Sequence, residues 1–342
     1  MAINTKDSGT PRPPTMADIA AAVGVSRQLV GLVFRGAPGV GAETEAKIRA
    51  AAKELGYRPN LAAQALRREG SKYIGVVFHT DHSSINELIP EVYRQASKFG
   101  FQVILSAVSE ARSEVEAIEE VLGHRCDGII LMSSGLSLSK IQKLAQEMPL
   151  VSMGRRLTKV RCGFVSSRGE AGMFEAVEYL VHLGHKSITY VDGSEMYDHE
   201  FRLEGYSAAM AKAKLKTHVM QISGNYTEVG GATAADRLLA LKVKPTAVIC
   251  SNDQMAFGLV HELQKNGISV PRDISVIGYD DTIAKWPFLN LTTVRQDAAE
   301  LAQAAVEDLA ARIRGEKLLS ETYLTSSKLV IRSTTGKPRA NI

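Results

Sequence analysis

The triplet Ser26-Arg27-Gln28 is the first place in the chain where residue types and spacing together suggest chemistry. An arginine can donate a bidentate pair to guanine O6/N7, and a glutamine can match adenine N6/N7. A serine hydroxyl beside free helix N–H groups suits a phosphate. Groove reading needs such residues in the first turn of an exposed helix, although an ordinary solvated helix face could carry them as well. The neighbouring pattern supplies that turn. Residues 16–23 put Met16, Ile19, Ala20 and Val23 on one face; Thr15 can cap them and Gly24 stops them. Ser26 caps residues 27–34, which send Leu29, Val30 and Val33 inward and leave Arg27, Gln28 and Gly31, with the flank of Leu32, outside. A third helix over 44–55 has Ile48, Ala51, Ala52 and Leu55 at helical spacing and closes a small core. Helix, glycine turn and helix make the helix-turn-helix plan.

Charge is distributed in keeping with that plan. The chain of 342 residues carries a formal +4; residues 1–70 hold 10 Lys+Arg against 6 Asp+Glu, and the remainder balances at 31 against 31. A small basic head on a neutral body fits polyanion binding. The opening residues, rich in Thr, Pro, Ser and Gly, should be disordered to about Pro14. After the head, Gly56 and Pro59 end helical structure and Asn60 can start another segment. Residues 61–68, LAAQALRR, favour a helix of only two turns, too short to be stable without a partner.

From Lys72 on, short β-branched runs alternate with amphipathic helices: YIGVVF, FQVILSAV, DGIILMSS and LVSMG in one series, SITYVDG, VMQIS, TAVICSND and ISVIGYDD in a second. This βαβ rhythm implies parallel sheets in two similar lobes. A late helix over 298–314 and the strands LTTVRQD and KLVIRST imply that the chain crosses between lobes more than once. Ligands bind beyond the carboxyl ends of such strands, so the body reads as a small-molecule clamp. His79 and Asp81, after the first body strand, point to that cleft by topology. Phe288 and Trp286 could give a sugar face an aromatic floor or merely pack a loop, and His124 and His185 look structural.

Other chemistries find no support. There is no GxxxxGK[ST], GxSxG or HExxH; His261-Glu262 begins the last, but Lys265 holds the second histidine position. Cys126, Cys162 and Cys250 lie far apart without CxxC, so neither a disulfide scaffold nor a zinc site is expected. The start of the chain lacks an export signal and no apolar run reaches membrane-spanning length. A cytoplasmic protein that is not an enzyme, with no cofactor, no metal and no membrane contact, is expected.

The stretch from TMADIAAAVGVSRQLV to REGSKYIGVV, followed in register by LVHLGHKSITYVDG, FRLEGYSAAM, ICSNDQMAFG, NGISVPRDISVIGYDD, NLTTVRQD and LVIRST, resembles the lactose/galactose-repressor family of bacterial transcription regulators from about Thr15 to Thr334. The resemblance implies a helix-turn-helix head, a hinge helix and an α/β effector body of two parallel-sheet lobes like a type I periplasmic binding protein. It places a tail at 1–14, the DNA-binding domain at 15–59 and the hinge and linker at 60–70. An N-terminal lobe follows at 71–165 and 296–320, a C-terminal lobe at 166–295 and 321–336, and a tail at 337–342. Arg27 and Gln28 match positions that read operator bases, with Leu32 nearby, and Ser26, Thr15 and Arg35 match phosphate-side positions; Asn60 joins the DNA-binding set. Leu66 matches a leucine that wedges into the minor groove at the centre of a palindrome, in keeping with a hinge that folds only on docking. In the body, Arg202 matches an effector-clamping arginine, and Asp280, Asn252 and Gln296 match polar ligand contacts, with Phe288 and His79 added from their positions. Asp253, just before a helix, is expected to cap that helix or tie a loop.

The function so implied is a double-stranded-DNA-binding regulator, a repressor, acting as a homodimer whose operator affinity responds to a sugar or sugar derivative. A nucleobase, nucleoside or organic acid effector, or an activator role, is the alternative. Departures stand at Ser166-Ser167, where an Asp-Asn pair is common, and at Gly31 and Gly41, where serine is common. The absence of terminal heptads points to a lobe-mediated dimer rather than a helix-bundle tetramer.

Overall fold

The computed structural model describes residues 12–35, 37–58, 70–157, 159–193, 199–221, 226–316 and 322–339. Two compact units divide the chain, one ending at Glu69 and the other beginning at Gly70. The expected tail up to residue 11, the hinge helix over 61–68, Asn60 and Leu66 lie outside the described residues.

In the head, α1 (Met16–Val23) and α2 (Arg27–Arg35) meet at 111°, the angle of a helix-turn-helix. Gly24 makes this corner possible: it adopts φ +74°, and its N–H and that of Val25 both return to the carbonyl of Ala20. Helix α3 (Ala42–Glu54) lies across the pair. Their shared core is Ile19, Ala20, Val30, Val33, Ile48 and Ala52, with Phe34, Val40 and Tyr57 packed against it. Two details differ from the periodic reading. Leu55 is 41% exposed, because α3 ends one residue before it. Gly31 is buried, covered by the Arg35 guanidinium, to which an added Cβ would approach within 3.4 Å.

Among the described residues, the body holds two six-stranded sheets. The first contains β1 (Tyr73–His79), β2 (Gln102–Val108), β3 (Gly128–Met132), β4 (Leu150–Met153), β5 (Gly163–Ser167) and β11 (Thr322–Thr325), in the order β11-β5-β4-β3-β1-β2. The second contains β6 (Ile188–Asp192), β7 (Val219–Gln221), β8 (Ala247–Cys250), β9 (Ser275–Asp280), β10 (Thr292–Gln296) and β12 (Ser327–Val330), in the order β12-β10-β9-β8-β6-β7. All pairs are parallel except β10 with β12. Strands β3, β4, β5, β6, β8 and β9 are buried along their whole length, as parallel strands sandwiched between helices must be. The sheets are covered by α4 (Ile85–Lys98), α5 (Glu114–Gly123), α6 (Leu138–Glu147) and α11 (Ala298–Ile313) in one lobe. In the other they are covered by α7 (Gly169–Leu183), α8 (His199–Lys212), α9 (Glu228–Leu239) and α10 (Asp253–Lys265).

The chain crosses between lobes three times, after Ser167, after Gln296 and after Thr325. The last crossing corrects the expected boundary at 320/321: Thr322–Thr325 pairs with β5 and belongs to the first lobe. The first also falls later than 165/166, because Ser166 and Ser167 complete β5. Hydrogen bonds tie two crossings together, Arg168 N to Thr325 O and Ser327 Oγ to Arg168 O. Helices α9 and α10 pack closely enough that a Cβ on Gly258 would lie 1.9 Å from the Glu228 carbonyl oxygen.

Candidate functional site: an exposed polar helix start and an interlobe cavity

The head presents its polar chemistry at the start of α2. Ser26, Arg27 and Gln28 are exposed, Leu32 is half-buried beside them, and Arg35 is exposed at the far end. The Ser26 hydroxyl accepts from Leu29 N at 3.1 Å, so it caps the helix it begins. At α1, the Asp18 carboxylate accepts from Thr15 N at 2.6 Å and from the Thr15 hydroxyl at 2.7 Å. Those bonds hold the Asp18 carboxyl below its ordinary pKa. The first turns of both helices are thereby pre-formed.

In the body, a cavity of about 830 Å³, its open mouth included, lies between the carboxyl ends of the two sheets. Its floor is the bundle of crossings. Ser167 Oγ donates to Gln296 Oε1 at 2.6 Å and meets Tyr279 OH at 3.0 Å, and Gln296 Nε2 donates to Asp280 Oδ1 at 2.5 Å. This chain of polar groups spans both lobes. Arg202, from α8, is buried; its Nη1 donates to the Ser251 carbonyl and its guanidinium carbon stands 4.0 Å from the centre of the Tyr279 ring. Asp280 and Asp281 both have left-handed backbone, φ 107° and 62°. Such conformations cost about 1–3 kcal/mol each in non-glycine residues. They persist here because Gln296 holds Asp280, while Arg295 and Arg332 each pair with Asp281 at 2.6 Å.

From the first lobe, His79 at the end of β1 and His82 beyond it face the cavity. Burial lowers the His82 pKa, a shift that Asp81 opposes and that His79 and Arg202 reinforce. The lobes also touch in front of the cavity. Ser83 N donates to Gln254 Oε1 at 3.1 Å, Ser83 Oγ meets Thr282 Oγ1 at 3.1 Å, and Lys285 pairs with Glu87.

Comparison with known proteins decides the family. Residues 15–60 match bacterial regulatory proteins of the lacI family, and residues 177–335 match the periplasmic binding protein-like domain. The probable HTH-type transcriptional repressor ExuR of Bacillus subtilis is 31% identical over 328 residues, 93% of this chain and 97% of that protein. The chain belongs to the LacI family. The AscG regulator of Escherichia coli is 32% identical over 95% of this chain and 99% of its own length. The Lac repressor dimer bound to operator and the anti-inducer ONPF has the same fold, with TM-score 0.82 and 29% identity, covering 95% of this chain and 100% of that one. A CelR–cellobiose complex follows at TM-score 0.68 and 26% identity, covering 94% of this chain and 99% of that one.

As a LacI-family protein the chain is an effector-controlled, DNA-binding transcriptional repressor and not an enzyme. Among the described residues, no group of three or more His, Cys, Asp or Glu is arranged to hold a metal, and no single helix is long and apolar enough to cross a membrane.

The expected ligand residues separate on inspection. Arg202, Asn252, Asp280, Gln296 and His79 all line the cavity. Phe288 does not: it is 76% exposed, its ring tilted against that of Trp286, because the tight turn over 286–290 carries it outward. Trp286 borders a separate groove with Phe257. Asn252 has its side chain committed to structure, with Oδ1 capping Met255 N and Nδ2 donating to the Tyr226 carbonyl. Asp253 takes the second of its expected roles: its buried carboxyl does not cap the helix but ties the loop after β9, held by Thr282 N and Thr293 Oγ1. Sequence reasoning missed His82, Ser83, Ser166, Ser167 and Tyr226 as lining residues. The rule that ligands sit beyond the carboxyl ends of strands would have found the serines had β5 been recognised.

Proposed function

We propose that the cavity is the effector site of this repressor. A sugar or sugar derivative held between Arg202 and the Asp280–Gln296 pair sets the grip of the head on a palindromic operator, bound by two copies of the chain in the cytoplasm. The observation that carries the reading is a buried guanidinium and a carboxylate brought together, from α8 and the end of β9, in one cavity that both lobes line. Donors and acceptors converging in an apolar-walled cleft orient a polyhydroxyl ligand. The CelR relative with bound cellobiose, and a LacI-family regulator from Enterococcus faecium with bound ribose, support the class.

In this reading Arg27 and Gln28 contact base edges with Leu32 alongside. Thr15, Ser26 and Arg35 meet phosphates, and Asn60 and Leu66 belong to the segment that enters the minor groove. The ligand acts by differential affinity for two lobe arrangements, because only such a difference moves an equilibrium. The contacts that Ser83 and Glu87 make with the second lobe are the ones such a rearrangement would remake. The test is binding of the full chain to genomic fragments with and without a panel of sugars, followed by fluorescence anisotropy. Arg202→Ala should keep DNA affinity and lose the response. A variant that still responds would move the effector site elsewhere, and a chain with no preference for any fragment over random duplex would defeat the operator reading.

A further inference from the structure

The cavity contains more nitrogen chemistry than a neutral sugar requires. His79 and His82 stack with ring centroids 5.8 Å apart and planes 25° from parallel. They line the cavity together with Arg202. The His79 Nε2 atom is buried without a hydrogen-bond partner, an arrangement that folded proteins rarely leave unexplained. We infer that the ligand carries one carboxylate on a polyhydroxyl body, the carboxylate lying among His79, His82 and Arg202 and the hydroxyls meeting Asp280, Gln296 and Ser167. The inference rests on the effector-site reading above and narrows it.

Charge accounting selects a carboxylate over a neutral sugar or a phosphate. Among the described residues, Arg202 and Asp280 are the formal charges on the cavity wall, and they cancel. Burial disfavours the protonated form of His82, and the neighbouring His79 and Arg202 act in the same direction. An entering carboxylate reverses that bias and draws about one proton onto the histidine pair, which restores balance. A phosphate dianion would leave one negative charge uncompensated close to Asp280. The N-terminus of α10, where a phosphate would look for backbone donors, is closed by Asn252 Oδ1 on Met255 N. The other described groups facing His82 do not alter the balance. Asp81, 3.9 Å from His82 Nε2, is largely exposed and screened. Tyr226 is a neutral ring at 6.1 Å, and Glu228 borders the outer groove, where its carboxylate takes a hydrogen bond from Gln254.

The sign of the pH effect follows. A ligand that raises the histidine pKa binds best while the histidine can be protonated, so affinity falls as pH rises through the bound-state value. The experiment is titration calorimetry on the full chain with D-glucuronate, D-galacturonate and D-gluconate against D-glucose and D-galactose. Glucose 6-phosphate and inorganic phosphate are run beside them, near pH 6 and pH 8, in two buffers of different ionisation enthalpy. At least one acid should bind roughly tenfold or more tighter than its neutral counterpart, take up about one proton, and weaken several-fold between the two pH values. His82→Gln and His79→Gln should abolish proton uptake. Proton uptake by the unmodified chain tests the claim even if a variant misfolds. Neutral sugars binding as tightly as the acids, without proton uptake, would overturn the carboxylate inference and leave the effector site standing. Preference for a phosphate, or binding of no acid, would overturn it as well. An acid response that survives Arg202→Ala unchanged would strike the effector-site reading itself.

Discussion

Replacing Asp253 by asparagine should stabilise the body, and increasingly so as pH rises. Asp253 opens α10 and is fully buried; Oδ2 accepts from Thr282 N at 2.8 Å and Oδ1 from Thr293 Oγ1 at 2.6 Å. Strand β9 leaves no slack, since a Cβ on Gly278 would lie 2.4 Å from Oδ1. Burial pushes this carboxyl up to about 8, with the charge of Asp280 adding to the effect. The unfolded chain releases the same proton near pH 4, so between those values it binds fewer protons than the folded chain and stability falls as pH rises. At pH 7 the penalty has an upper limit of about 4 kcal/mol, from roughly three pH units at about 1.4 kcal/mol each. Asparagine fits without rearrangement. Its carbonyl oxygen accepts from Thr282 N, and its amide donates to Thr293 Oγ1, a hydroxyl that also accepts. Asp253→Asn should therefore gain about 2–4 kcal/mol near pH 8 and close to nothing near pH 4, the difference growing by about 1 kcal/mol per pH unit. Urea unfolding of the full chain, with the body transition followed by circular dichroism at several pH values, measures it. A difference that does not change with pH, or a loss of stability near pH 8, would refute the reasoning.

Three further outcomes are expected. Arg27→Ala should relax sequence preference at one base pair by about 1–3 kcal/mol, read from affinities for operator variants at fixed salt; an unchanged preference would remove Arg27 from base reading. Gly31→Ala should raise head stability by about 0.5–1 kcal/mol, since the added Cβ meets only the movable Arg35 guanidinium; amide exchange at Val30 and Val33 reports it. Gly258→Ala should destabilise the body by about 1–3 kcal/mol or more, because its Cβ meets the Glu228 backbone and α9 and α10 must separate; a melting temperature equal to the parent's would contradict that packing.

Local pattern carried far in this chain. Apolar periodicity, a capping residue and a stopping glycine located α1 and α2 to within a residue, and the βαβ rhythm placed every described body helix. What it missed were short strands without alternation. GFVSS and TYLT became β5 and β11 only because other strands supply their edges, and that shifted the lobe boundaries. Leu55 and Gly31 were assigned to the wrong environments for a related reason: the end of α3 and the position of the Arg35 guanidinium lie beyond what a helical wheel contains.

The resemblance to the family marked Arg202, Asp280 and Gln296; the sequence by itself determined a basic helix-turn-helix head on a neutral two-lobed α/β clamp. Those features depend on residue types at fixed spacing, which the backbone's own periodicities translate directly into faces and strand ends. Only the tertiary structure decided which of two adjacent side chains, Asn252 or Asp253, caps α10 and which is buried. It alone turned Phe288 outward and brought His79, His82 and Ser167 to the same cavity as Arg202. The shared cavity depends on groups more than a hundred residues apart in the chain, and the choice between Asn252 and Asp253 on partners 29 and 40 residues from Asp253; no local spacing encodes which of them will touch.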